Sequence, residues 1–126
     1  MSFIHFRNIS DDIDFSSTTL LNIIFEDVDA TRLNFSYSDF QDNIRFSNLF
    51  GITNSSFIKS PMENVKFIAS GSRMKLKNNI LDYIRLNSVE FINIGLSQSS
   101  FVNAMITNSR FNNCVFDNIN LTNATI

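Results

Sequence analysis

The sequence predicts an all-β fold, a solenoid whose coils are roughly square in cross-section. A Leu, Phe or Ile occupies every fifth position from Leu76 to Ile126 without exception. A second residue, small or apolar in most units, precedes each of them by two positions. In the C-terminal half, Asn commonly follows the large apolar residue by two positions, at Asn93 for example. Such a short internal period is the signature of a repeat architecture.

The spacing of five excludes a long helix and a long strand. Five residues of an α-helix turn through about 500°, so the apolar residues would wander around the cylinder. In a continuous strand, odd spacings alternate between the two faces of the sheet. A chain that extends for about three residues and then turns a corner satisfies the pattern, because residues i−2 and i then point inward together.

If each corner turns the chain by about 90°, four pentapeptides close a coil of twenty residues. The next coil then lies about 4.8 Å above, paired through parallel backbone hydrogen bonds. Residues twenty apart are stacked in this arrangement, so Leu76, Leu96 and Phe116 are predicted to share one interior column. The interior is a packed core without a channel, since each face is only about 10 Å long.

The Asn residues fit the corners. Asn tolerates the left-handed backbone conformation and bonds to its own backbone, as a tight turn requires. The corner positions predicted on this basis are Asn93, Asn103, Asn108, Asn113, Asn118 and Asn123.

Several units resemble those of the pentapeptide-repeat family. They are Ser-Ser-Phe-Val-Asn (99–103), Ser-Arg-Phe-Asn-Asn (109–113), Cys-Val-Phe-Asp-Asn (114–118) and Ile-Asn-Leu-Thr-Asn (119–123). The resemblance implies a right-handed quadrilateral β-helix of about five to six coils. In that family the fold is used by DNA-mimicking topoisomerase-protection proteins and by secreted bacterial effectors. This chain departs from the family pattern at the second position, where Met105, Arg110 and Val115 replace Asp or Asn.

The elements are predicted in order as one domain, 1–126. Residues 1–14 lack a clean period and are expected to form a cap or an irregular first coil. The repeat begins at Phe15 and shifts by one residue after Phe40 and again near Gly51, where single-residue bulges are expected. In the coil that follows, Phe50 is expected to be an inward residue. Amphipathic helices remain alternatives for 20–28 and 76–86.

A loop is predicted over 69–79, where the phase breaks most strongly. The segment contains Gly71 and the basic residues Arg73, Lys75 and Lys77. Because binding residues concentrate on loops held by a rigid scaffold, these three cations are candidates for a partner-binding loop. The alternative is a solvated basic insertion.

Charge is divided along the chain. Before Phe46 there are eight acidic and three basic residues, and after it four acidic and seven basic ones, with a net charge of −2 overall. The acidic half predicts a candidate acidic wall, formed by Asp27, Asp29, Asp39 and Asp42.

No catalytic motif, cofactor motif or metal-ligand cluster is found, and we expect no enzyme activity, cofactor or metal. Cys114 falls in an inward slot, and His5 has no ligand at motif spacing. There is no secretory signal and no apolar stretch of membrane-spanning length. We expect a cytoplasmic protein, with secretion as an effector as the alternative, and no contact with membranes or nucleic acid.

The function expected from these observations is a non-catalytic protein-binding scaffold, a bacterial effector or an immunity-type protein. The partner would be another protein. The alternative is a DNA-mimicking topoisomerase (gyrase) protection protein conferring inhibitor resistance. Because the repeat continues to the last residue, a homodimer through the C-terminal coil is also expected. The candidate dimer edge is Phe111, Phe116, Leu121 and Ile126.

Overall fold

A computed structural model of the protein describes residues 3–9, 11–41, 43–48, 50–69 and 74–126, without the side chains of residues 74 and 75. These residues form sixteen short strands and no helix. The strands are β1 (Ile4–Arg7), β2 (Thr19–Leu20), β3 (Ile23–Glu26), β4 (Asp29–Thr31), β5 (Asp39–Phe40), β6 (Arg45–Ser47), β7 (Gly51–Thr53), β8 (Pro61–Glu63), β9 (Lys66–Ile68), β10 (Met74–Lys77), β11 (Arg85–Asn87), β12 (Glu90–Ile92), β13 (Ile94–Ser97), β14 (Met105–Thr107), β15 (Arg110–Asn112) and β16 (Val115–Asp117).

The strands form the faces of a four-sided solenoid. Face 1 is the sheet β1-β3-β6-β9-β12-β15, face 2 is β4-β7-β10-β13-β16, and face 4 is β2-β5-β8-β11-β14. Face 3 lies between faces 2 and 4 in the chain and consists of single parallel bridges, such as Ser56 with Ile80 and Ile80 with Ser100. The chain visits the faces in the order 1, 2, 3, 4. Since the described residues cross face 1 six times, they complete about five turns.

The predicted fold class and interior columns are confirmed. Leu76 is in register with Leu96, and Leu96 with Phe116. Likewise Leu86 pairs with Ile106, and Phe91 with Phe111. All of these pairings are parallel, because each strand meets its counterpart one coil later. The helical alternatives for 20–28 and 76–86 are wrong, since both segments consist of short strands and corners.

The corners are left-handed turns. Twenty-two described non-glycine residues have φ between 50° and 61°, and thirteen of them are Asn. All six Asn corners predicted from the sequence are among them. Asn dominates because its short polar side chain makes this conformation less unfavourable than it is for other residues.

The residues before Phe15 contain the first strand of the solenoid. β1 pairs in register with β3, which places Phe6 over Phe25. One bridge on face 3, between Asp14 and Asn34, continues this first coil. Residues of this stretch are therefore part of the stack and not a separate covering element.

The predicted loop over 69–79 is too long. Its residues Met74–Lys77 form β10, which pairs with both β7 and β13. The physical reason is the alternation of Met74-Lys-Leu-Lys77, which turns Leu76 into the core. This coil does contain four more residues than the next one. Phe67 and Phe91 are register partners 24 residues apart, whereas Phe91 and Phe111 are 20 residues apart. Residues 70–73 lie outside the described residues.

The prediction that Phe50 points inward is also wrong. The carbonyl of Val28 accepts hydrogen bonds from both Phe50 N (2.9 Å) and Gly51 N (3.2 Å), so two residues face one and the chain bulges. The bulge leaves Phe50 exposed and restores the inward phase at Ile52, which is fully buried.

The core is built from stacked side chains, above all on face 1. Neighbouring phenylalanine rings there are nearly parallel, with centroids 4.6 to 5.4 Å apart. The column consists of Phe6, Phe25, Phe46, Phe67, Phe91 and Phe111.

Among the described residues, every buried polar side-chain atom has a hydrogen-bond partner. Asn79 donates from Nδ2 to the Ile52 carbonyl at 2.9 Å and accepts from the Ser55 backbone N–H at 2.9 Å. It thereby ties together successive coils on the inner side of face 3.

Candidate protein-binding surfaces

The last coil exposes an apolar surface at the end of the solenoid, which we call the end surface. Its inward side chains have neighbours on one side only, so Phe116 is 50% exposed and Ile126 80% exposed. They surround an open cavity of about 420 Å³ whose lining is entirely apolar. The lining residues are Phe101, Ile106, Phe111, Phe116, Ile119, Leu121 and Ile126. The four residues of the candidate dimer edge are all among them.

Backbone groups at this end also have neighbours on one side only. β15 and β16 are the outermost strands of their sheets. An exposed strand edge of this kind offers N–H and C=O groups to another chain. The end surface therefore combines apolar side chains with backbone groups that a partner can pair with.

A column of aromatic and basic residues occupies the corner between faces 3 and 4. Tyr37, Lys59 and Tyr83 stand on three successive coils and all have positive φ. The Lys59 ammonium lies 5.7 Å from the centroid of the Tyr37 ring and 5.6 Å from that of Tyr83. Both tyrosines are largely exposed, at 60% and 53%. The sequence alone does not predict this column, because Tyr and Lys are unusual at left-handed corners and only the coil register aligns the three residues.

The surface of face 4 beside this column has two adjoining depressions. One has a volume of about 280 Å³ and is lined by Lys59, Pro61, Tyr83 and Arg85. The other, of about 380 Å³, shares Pro61 and Arg85 and extends over Asp39 and Glu63. Both depressions are open grooves on the outside of the solenoid.

The candidate acidic wall is divided among different sides of the molecule. Asp29 lies on face 2 in register with Gly51, whereas Asp39 lies on face 4 in register with Thr19. These two faces are on opposite sides of the coil. Asp27 is a corner residue between faces 1 and 2 and is hydrogen-bonded to Asn48, and Asp42 lies outside the described residues.

The candidate basic loop is only partly described. Arg73 lies outside the described residues, and the side chain of Lys75 is not described. Lys77 is exposed at the end of β10. The described residues Met74–Lys77 of this segment form a strand that is paired with β7 on one side and β13 on the other.

A row of charged residues on face 1, three basic and one acidic, was not predicted either. Arg45 is in register with Lys66, and Glu90 is in register with both Lys66 and Arg110. Lys66 Nζ lies 3.9 Å from Glu90 Oε1, a loose contact between exposed groups. All four hold the same outward position of their pentapeptides. The sequence shows this once one extra residue near Gly51 and four extra residues between Lys66 and Glu90 are allowed for.

Two acidic groups in the first coil have altered proton affinity. The Arg32 guanidinium donates to both carboxylate oxygens of Asp12, at 2.5 and 2.7 Å, and these hydrogen bonds lower the pKa of that carboxyl. Hydrogen bonds from Ser16 lower the pKa of Asp14. Both carboxyls accept hydrogen bonds at corners of the coil, so a structural role accounts for these shifts.

No group of three or more His, Cys, Asp or Glu that could hold a metal ion occurs in the described part of the chain. A helix able to cross a membrane is likewise absent from those residues.

Comparisons with known proteins give structural neighbours only. No protein-family model and no curated protein matches the sequence. Full-length QnrB1, a plasmid-mediated fluoroquinolone resistance protein, is 14% identical over 98% of this chain and 78% of its own, with a TM-score of 0.33. A trypsin-treated variant of QnrB1 is 15% identical over 95% and 73% of the two chains, with a TM-score of 0.32.

A third neighbour is HetL, a pentapeptide repeat protein involved in heterocyst differentiation regulation from the cyanobacterium Nostoc sp. strain PCC 7120. It is 13% identical over 97% of this chain and 86% of its own, with a TM-score of 0.28. These similarities are weak. The β-solenoid of five-residue repeats described above is established by the strand pairing of this chain itself.

Proposed function

We propose that this protein is a non-catalytic binding scaffold, a short rigid rod that binds another protein and pairs with a second copy of itself through the end surface. The observation that supports the proposal best is the apolar end cavity, whose lining includes Phe116, Leu121 and Ile126. In water these side chains favour burial, at about 25 cal/mol for each Å² removed from solvent. A second copy supplies a surface of the same composition.

A pairing between identical end surfaces is isologous and closes with two copies, so it gives a dimer and not a fibre. The rod is narrow, because each face is about 10 Å long at strand rise. The contact is therefore smaller than the roughly 800 Å² per partner of a standard interface. We expect a weak dimer that dissociates on dilution.

Sedimentation equilibrium across a wide range of protein concentration tests this proposal. The substitution Phe116→Asp places a charge on the end surface, and we expect it to abolish dimer formation. Val115→Asp is the matched control, because Val115 lies on the same strand, is exposed to a similar degree and faces outward.

A protein that stays monomeric at the highest concentrations overturns the pairing. Equal effects of Phe116→Asp and Val115→Asp place the contact on the side of the rod instead of its end. Circular dichroism of both variants separates loss of pairing from loss of fold.

The charge layout does not favour the DNA-mimicking alternative. Imitation of a duplex needs negative charge along one surface, since DNA carries about one charge per 1.7 Å of axis. Here Asp29 and Asp39 are on opposite faces, and face 1 carries Arg45 and Lys66 in register.

A further inference from the structure

Both tyrosines of the chain belong to the column between faces 3 and 4. The backbone N–H of Tyr37 bonds to the Ile58 carbonyl just before Lys59, at 2.8 Å, and that of Lys59 bonds to Asp82 O just before Tyr83, at 3.1 Å. The three residues are thus equivalent positions of successive coils. Their alignment follows from the repeat and is not a chance approach of distant segments.

The turn itself does not explain why these residue types are present. A bulky side chain at positive φ is unfavourable, whereas Asn tolerates the conformation. The same corner is made by Asn103 in the next coil and by Asn123 in the last one. Tyr37 and Tyr83 nevertheless adopt this conformation, with φ of 61° and 56°. A backbone outlier of this kind is a reason to look for a function of the side chain.

The side chains are held in a defined arrangement. The Lys59 ammonium lies between the two rings, at 5.7 and 5.6 Å from their centroids, so each contact restrains the other. Ordering three long side chains before a partner arrives reduces the entropy lost on binding. Exposed tyrosines and arginines that are already ordered are typical of the residues that dominate binding energy in interfaces.

The groove beside the column adds an apolar floor and a second cation. Pro61 and Arg85 are register partners on face 4, and together with Lys59 and Tyr83 they line the depression of about 280 Å³. In the described residues neither Lys59 nor Arg85 forms an ion pair with a carboxylate. In the adjoining depression, Asp39 lies opposite Pro61 on the preceding coil, and Glu63 ends the strand that Pro61 begins. The cations of the two depressions are therefore on the side of Tyr83, and the carboxylates are on the preceding coil and at the end of β8.

We infer that Tyr37, Lys59, Pro61, Tyr83 and Arg85, which we call the corner patch, bind a protein segment in which a carboxylate side chain is followed by an aromatic one. The aromatic ring packs on the Pro61 ring and the face of Tyr83, and the carboxylate accepts hydrogen bonds from Arg85 and Lys59. Asp39 and Glu63 repel a second carboxylate, so the acidic residue lies on the side of Tyr83 and Arg85. This inference depends on the proposed binding function and names the chemistry of the partner.

A short peptide provides the test. The probe is N-acetyl-Glu-Phe-Ala-amide, and its control is N-acetyl-Gln-Phe-Ala-amide. Because the chain has two tyrosines and no tryptophan, tyrosine fluorescence reports on the corner patch alone. We expect weak saturable binding, with a Kd of about 1 mM, and binding of the Gln peptide about fivefold weaker. Amide chemical shifts in NMR spectra should change most at residues 59, 83 and 85.

The variant Tyr83→Asn separates binding from folding. Since Asn makes the equivalent corner at Asn103, we expect the urea midpoint to stay the same or rise while binding falls about tenfold, as for loss of a dominant interface residue. Arg85→Ala should remove the preference for Glu over Gln in the peptide. Met105→Ala is the control, because Met105 is exposed and is the register partner of Arg85 in the next coil.

Several results would overturn the inference. They are the absence of saturable shifts with the Glu peptide at the solubility limit, equal binding by the Tyr83→Asn variant, and shifts that map to Arg45 and Lys66 on face 1. The end surface provides a separate readout, since dimer formation by the Tyr83→Asn variant should equal that of the natural protein. Failure of the corner patch and failure of the proposed pairing are thereby distinguishable.

Discussion

Phe46 illustrates how single residues hold the coils together. Its ring is nearly parallel to those of Phe25 below and Phe67 above, with both centroid separations at 4.6 Å. Its side chain is fully buried. Removing it leaves a cavity between two coils that cannot approach, because their separation is set by the backbone hydrogen bonds.

We expect Phe46→Ala to lower the free energy of unfolding by about 3 to 5 kcal/mol, the range for emptying a buried aromatic site. Arg45→Ala, one residue earlier and exposed, should change it by less than about 0.5 kcal/mol. Urea denaturation at neutral pH measures both. Similar losses for the two variants would contradict the inward and outward assignment of this strand.

The pair of Asp12 and Arg32 predicts a pH dependence. Because hydrogen bonds from Arg32 lower the pKa of Asp12 in the folded state, the contribution of this pair to stability is present above the ordinary pKa of an aspartate. It is lost as the pH falls through the lower pKa of the folded state. The Asp12→Asn variant should be less stable than the natural protein at pH 7, and the two should converge near pH 2. Urea titrations at both values test this, and a difference that persists at pH 2 would contradict it.

Single residues also show what the sequence could not reveal. The Asn corners were predictable, since Asn93 and Asn103 carry a turn preference that needs no tertiary information. Tyr37, Lys59 and Tyr83 were not, because their residue types argue against a corner and the coil register alone makes them neighbours. The opposite positions of Asp29 and Asp39 depend on that register too, as a face cannot be assigned from charge along the chain.

At the scale of elements, strands of two to four residues are joined by corners that repeat one conformation. The repeat predicted these elements wherever its phase was unbroken. It failed at Phe50 and over 69–79, where inserted residues had to be absorbed. An insertion can be placed in a bulge or in a longer corner, and the side chains themselves do not distinguish the two.

Asn54 is a suitable corner to test, with φ of 51° and its N–H bonded to the Lys77 carbonyl at 3.0 Å. Asn54→Ala should lower the free energy of unfolding by about 1 kcal/mol, because a Cβ without a polar group disfavours this conformation. Asn54→Gly should be close to neutral, since Gly adopts it without a steric cost. Thermal and urea unfolding of the three proteins compare them. Equal losses for Ala and Gly would indicate that the Asn side chain matters and not the backbone conformation.

At the scale of the whole molecule, each coil contacts only the coils next to it. Stability in such a stack is close to a sum of coil and interface contributions, and opening begins at the ends. The first and last coils each have one neighbour, and the last exposes Phe116 and Ile126. The middle coils, which contain Phe46 and Phe67, are enclosed on both sides.

We therefore expect amide hydrogen exchange to be slowest around β6 and β9 and fastest in β1 and β16. Mass spectrometry of exchanged peptides measures this gradient. Exchange of β16 should slow further as the protein concentration rises if the end surfaces pair. Uniform protection along the chain would show that the coils unfold as one unit.

Parallel pairing between successive coils has a consequence for synthesis on the ribosome. Every strand after the first coil finds its partner in a segment that is already made, usually about twenty residues earlier. The length of chain that must close on itself is then nearly the same for each coil, and so is the entropy lost in closing it. The nascent chain can add one coil at a time, and the growing end at each moment is an apolar surface that the next twenty residues cover.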